Sequence, residues 1–102
     1  MKMIEKLSDM IEEEIGDAEK YAQCALNHKE DNKELAEVFY TLSGEELKHM
    51  EMLHGQVVKM IEAHKKEKGE PPIEMKFLYD YLHKKHIEKV AEINVMRTMY
   101  KG

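Results

Sequence analysis

Proline occurs at only two positions, Pro71 and Pro72, and they are adjacent. No proline interrupts the segments on either side, and Gly69 just ahead makes this the strongest breaker in the chain. Those segments are rich in Glu, Lys, Met, Leu and Ala, which are good helix formers, and they carry no β-hairpin punctuation. The expectation is an all-α chain of three helices.

The first helix is expected over about residues 4–28, where Ile4, Leu7, Ile11, Ala18, Tyr21 and Ala25 recur at spacings of three and four. The polar run Lys29, Glu30, Asp31, Asn32 breaks that pattern, with Asp31 or Asn32 as the cap of the next helix. The second helix is expected over about residues 33–66, with Leu35, Phe39, Leu42, Leu53, Met60 and Ala63 on one stripe. At ~1.5 Å per residue it is roughly 50 Å long, a length that suits a bundle. The third, over about residues 74–100, is apolar on two sides: Tyr79, Leu82, Val90 and Ile93 share one, and Ile87, Ala91, Val95 and Met99 the other. Three helices in one chain cover only one of these sides, so a second subunit is expected on the other.

A chain of 102 residues, 42% hydrophobic, suffices for one domain over residues 1–102 but buries a limited core alone. Its 16 Lys+Arg and 21 Asp+Glu are interspersed and sum to a formal net charge of -5, so no basic stripe offers itself to nucleic acid. No apolar run approaches the roughly 20 residues that cross a bilayer, and the beginning of the sequence lacks a continuous apolar signal core. Cys24 is the only cysteine, which excludes an intrachain disulfide or a thiolate cluster. These features lead to the expectation of a cytoplasmic protein with no membrane and no nucleic-acid partner.

Extending the apolar columns of the first two helices exposes three misfits. Leu7, Glu14, Tyr21 and His28 share a column, with Glu14 where a leucine is expected. On the second helix Phe39, Glu46, Leu53 and Met60 form one column and Leu42, His49, Gln56 and Ala63 the other, so Glu46 and His49 also face inward. A turn centred on Glu30 leaves Glu14 sixteen residues before it (30 − 14) and Glu46 sixteen after (46 − 30), at one height in an antiparallel hairpin. Two converging carboxylates repel unless a proton or cation lies between them. Glu46 and His49, at i and i+3, are close enough on one face to share an ion. Oxygen and imidazole donors in this combination suit iron or manganese, with zinc as an adventitious occupant. The alternative reading is a buried polar cluster that fixes helix register without metal.

The run Glu45-Glu46-Leu47-Lys48-His49-Met50 resembles the second-helix iron motif of the ferritin, bacterioferritin and rubrerythrin superfamily. Glu14 followed by Tyr21 resembles that superfamily's first-helix glutamate and nearby tyrosine, and the resemblance extends from about Met1 to Lys66. It implies a ferritin-like hairpin in which Glu14 is a terminal or bridging metal ligand, Glu46 the bridging carboxylate and His49 a terminal nitrogen ligand. Tyr21 becomes the candidate catalytic residue beside the metals. A complete bundle of this kind takes a second glutamate and a second Glu-x-x-His from two further helices. Helix 3 has no Glu-x-x-His, so the chain offers half of the ligand set, and a homodimer or larger even-numbered oligomer restores the whole. Short subunits that pair to build an iron site resemble the encapsulated ferritins. The function implied is a di-iron or di-manganese carboxylate protein, with Fe(II) oxidation as its oxidoreductase chemistry; the alternative is a non-catalytic helical assembly or adaptor protein.

The remaining chemistry-bearing residues receive plainer readings. His83 and His86 lie on the inner side of helix 3, within range of the metals or simply packed, and Arg97 on that face is either a counter-charge or an ordinary surface ion pair. The nine methionines are scattered at helical spacings, as adaptable core filler is. No role is assigned to His28, His54 or His64.

Overall fold

The computed structural model describes residues 2–102. Met1, with which the expected domain and the family resemblance begin, lies outside the described residues. The chain is a three-helix bundle, α1 Lys2–His28, α2 Lys33–Lys68 and α3 Ile73–Lys101, and no strand occurs among the described residues. Its extents are 55 × 18 × 18 Å, the long one set by the 36-residue α2 at ~1.5 Å per residue.

Local chemistry places both turns. Asn32 caps α2, its side-chain oxygen accepting from the backbone N–H of Leu35 at 3.1 Å, and His28 Nδ1 lies 3.1 Å from Asp31 across the same turn. At the other end of α2, Gly69 adopts φ +79°, a left-handed conformation natural to glycine, and its N–H donates to the Lys65 carbonyl at 3.0 Å. Pro72 precedes α3, and its carbonyl accepts from Met75 and Lys76. These turns make α1 and α2 an antiparallel hairpin and run α3 parallel to α1, on which it chiefly packs.

The enclosed seam follows Ile11, Ile15, Ala18, Ala22 and Ala25 of α1, Ala36, Ser43, Met50 and Val57 of α2, and Ile93 of α3. On α2 this differs from the expected stripe. Leu35 is 37% exposed, while Phe39, Leu42, Leu53 and Met60 are half-buried and Ala63 is exposed. The reason is the seat of α3, which lies over the side of the hairpin that carries residues 36, 43, 50 and 57. The opposite side of the hairpin is left open. Of the two apolar sides of α3, Ile93 is buried and Tyr79 and Val90 pack on the core, whereas Ile87, Val95 and Met99 are exposed.

Arg97 fastens the upper end of α3. Its guanidinium stacks 4.0 Å over the Tyr40 ring and donates to the Tyr40 carbonyl at 2.6 Å and to the Ser43 hydroxyl. Gly44 leaves it room, since a Cβ there would meet the guanidinium at 2.9 Å. Lower down, Lys89 donates to Glu19 at 3.1 Å and Lys85 lies 3.8 Å from Glu12, two exposed ion pairs that tie α3 to α1.

Candidate metal centre

Glu14 on α1 and Glu46 and His49 on α2 meet across the open side of the hairpin. Each offers one ligand atom, and the three atoms lie within 4.8 Å of one another. His49 Nδ1 is 3.5 Å from Glu14 Oε2 and 3.7 Å from Glu46 Oε2. The register that brings them level is the one the four-residue turn imposes, and the i,i+3 spacing points Glu46 and His49 the same way.

Burial differs from the sequence expectation in one respect. The three side chains do not face a closed core: Glu14 is 27% exposed, Glu46 19% and His49 54%. They lie on the hairpin face turned away from α3, bordered by half-buried Leu7, Tyr21, Phe39, Leu42 and Leu53. Glu14 Oε2 is nevertheless shut off from solvent and has no hydrogen-bond partner. A carboxylate oxygen stripped of water and given no donor is costly, and a cation among these donors is the chemistry that relieves it. Two carboxylates and one imidazole nitrogen fit a divalent iron, manganese or zinc ion. The residues present thus suit a metal, and they form three of the four to six donors such an ion takes.

The chain matches no protein-family model, no curated protein and no solved structure.

Tyr21 stands two turns along α1 from Glu14, its ring stacked on Phe39 with centroids 6.1 Å apart. His83 and His86 are on the far side of the hairpin from Glu14, where the seat of α3 takes them. His83 meets His54, with Nδ1 to Nε2 at 3.0 Å, and His86 Nε2 lies 3.6 Å from Glu12. Arg97 bonds to Tyr40 and Ser43 as described, so neither it nor the α3 histidines supply the open-face cluster. The His54–His83 contact was not anticipated. Glu51 and His54 repeat the Glu-x-x-His spacing of Glu46 and His49 five residues further on, a pattern within α2 that does not say what His54 meets on α3.

Proposed function

We propose that the chain is one half of a ferritin-like, carboxylate-bridged di-metal protein, completed by a second copy laid on the open hairpin face about a two-fold axis. The observation that carries this reading is Glu14 Oε2, buried without a hydrogen-bond partner 3.5 Å from His49 Nδ1 and grouped with Glu46. Two copies bring four glutamates and two histidines together, the ligand set of a di-iron carboxylate bundle. The half-buried apolar residues that border the cluster support a partner there, because covering them removes apolar surface and the exposed edge of His49 from water.

In this reading Glu14 and Glu46 balance the charge of the ions, His49 supplies a neutral nitrogen, and Tyr21 is the catalytic candidate beside them. A bound Fe(II) pair would supply the electrons for reduction of dioxygen or peroxide and be oxidised to Fe(III); manganese would be held by the same donors. A cytoplasmic setting is proposed on the single cysteine, and among the described residues no helix is long and apolar enough to cross a membrane.

Light scattering combined with metal analysis tests the proposal. The expected result is an even-numbered assembly holding about one iron or manganese per chain, with the metal lost in Glu46→Ala. A monomer in the presence of metal overturns it. An assembly that binds no metal supports the adaptor reading instead, which the exposed α3 side of Ile87, Val95 and Met99 favours.

A further inference from the structure

The second Glu-x-x-His of α2, Glu51 and His54, begins five residues after the first. At about 100° per residue, five residues turn a helix by about 140° from the starting direction. That rotation carries Glu51 and His54 off the open face and onto the side against α3. There α3 presents its own i,i+3 pair, His83 and His86, and all four residues line one cleft between the helices, with Met50 and Val90 as apolar wall.

Two groups in this cleft are close enough to share an ion. His54 Nε2 lies 3.0 Å from His83 Nδ1, with ring centroids 4.9 Å apart. Two imidazole nitrogens that each sit ~2.0–2.1 Å from one tetrahedral ion are about 3.3 Å apart, so a small ring rotation exchanges a shared proton for a shared metal. Tyr79 also stacks against His83, with centroids 5.7 Å apart, and limits that ring's freedom. His86 is 9% exposed, and its Nε2, without a hydrogen-bond partner, lies 3.6 Å from Glu12 on α1. Burial lowers the pKa of both His54 and His86, which keeps them in the neutral form that binds metal.

We propose that His54 and His83 form a second divalent-cation site between α2 and α3, of the imidazole-rich kind that takes Zn(II) or Co(II), with Glu51 and His86 lining the same cleft. It differs in chemistry from the open-face cluster, which has two carboxylates to one imidazole, and it does not depend on that cluster or on a partner subunit. Its structural effect is specific. α3 packs chiefly on α1, and an ion held by His54 and His83 joins it to α2 as well.

Co(II) titration of the Glu14→Gln/Glu46→Gln double variant tests this with the open-face cluster silenced. About one Co(II) per chain is expected to bind with the intense visible absorption of four-coordinate cobalt, and Zn(II) is expected to displace it. Adding His54→Gln or His83→Ala should abolish that band and weaken binding at least about tenfold, while Cys24→Ser changes neither. The glutamine variant retains hydrogen-bonding capacity toward His83, so it guards against simple misfolding, and circular dichroism monitors helix content in each. Absence of the band at saturating cobalt, or a band unchanged in both histidine variants, overturns the proposal. So does an NMR titration in which Zn(II) leaves the His54 and His83 ring signals unmoved, because the pair then shares only a proton.

Discussion

His49 Nδ1 approaches Glu14 Oε2 to 3.5 Å across the seam between two antiparallel helices, joining residues 35 positions apart (49 − 14). Neither group is held there by the enclosed core, which runs along other columns of both helices. Loss of either side chain should therefore cost ligand binding far more than it costs the fold. Glu14→Gln and His49→Ala are each expected to reduce Mn(II) or anaerobic Fe(II) affinity, and Cys24→Ser, away from the cluster, is expected to leave it unchanged. Calorimetric titration measures this, and unchanged binding in both ligand variants returns the cluster to a packing role.

The core makes the opposite trade. Ile93 is fully buried and is the main apolar group that α3 sets into the hairpin seam. Ile93→Ala should cost about 2–5 kcal/mol, the range for truncating a buried aliphatic side chain whose site does not fully collapse. Val95→Ala, at an exposed position on the same helix, should cost much less in a single chain. Urea denaturation compares the two. Similar losses would mean that Val95 is itself buried, by another subunit.

Two glycines inside helices should respond differently to the same change. A Cβ on Gly16 meets nothing within 4 Å, so Gly16→Ala should gain up to about 1 kcal/mol from helix propensity. At Gly44 the added carbon displaces the Arg97 guanidinium from Tyr40 and Ser43, and those lost contacts offset the gain. Thermal melts should show a higher midpoint for Gly16→Ala and no such rise for Gly44→Ala.

The helix ends were legible because their signals are local. Asn32 can cap a helix and Gly69 can adopt positive φ whatever packs around them, and each helix ends within two residues of the expected limits. The alignment of Glu14 with Glu46 was also legible, since a short turn fixes the register of a hairpin. What could not be read was which side of the hairpin α3 would cover. The α2 seam runs through Ala36 and Ser43, small residues that permit close approach but contribute little to a hydropathy pattern. The larger Leu35, Phe39 and Leu42 drew attention to the other side. Once that choice is made, His54 and His83 meet across 29 positions, a contact that depends on α3's seat and on no single-helix pattern.

Acid should loosen the α2–α3 cleft in metal-free protein. Burial, then His83 and His86 facing it from α3, holds the His54 imidazole below its ordinary value. Burial does the same to His86, outweighing the opposite pull of Glu12 from α1, and Lys85 and His83 on its own helix add to the lowering. As pH falls, the unfolded chain takes up these protons first, so stability rises with pH across the interval between the two pKa values. The contribution is fully present above the unfolded imidazole value of about 6.5 and is lost as pH falls from there through the lower folded value. In chelator, the melting temperature should drop as pH falls below the unfolded imidazole value of about 6.5, and His54→Gln should flatten that drop. An unchanged slope in the variant would assign the pH dependence to other groups.

Metal should stabilise the native protein through Glu46 if the open-face cluster is its site. An ion bound by the folded form and not by the unfolded chain adds about 2.7 kcal/mol at a concentration of about 100 Kd. For a domain of this length that corresponds to a rise of order 10 °C in melting temperature. Mn(II) or anaerobic Fe(II) is therefore expected to raise the melting temperature, and to raise it less near pH 5, where protons compete for the ligands. Without metal, Glu14 and Glu46 present two carboxylates to each other, and a two-fold partner brings two more, so neutralising one relieves repulsion. Glu46→Gln should consequently leave the metal-free protein as stable as before, or more so, while removing most of the metal-induced rise. The pairing of those two outcomes is the diagnostic: a residue that only packs would lower the metal-free stability and leave the metal response intact. Equal metal-induced shifts in the native protein and in Glu46→Gln would place the stabilising ion elsewhere, and a shift that disappears in His54→Gln instead would place it between α2 and α3.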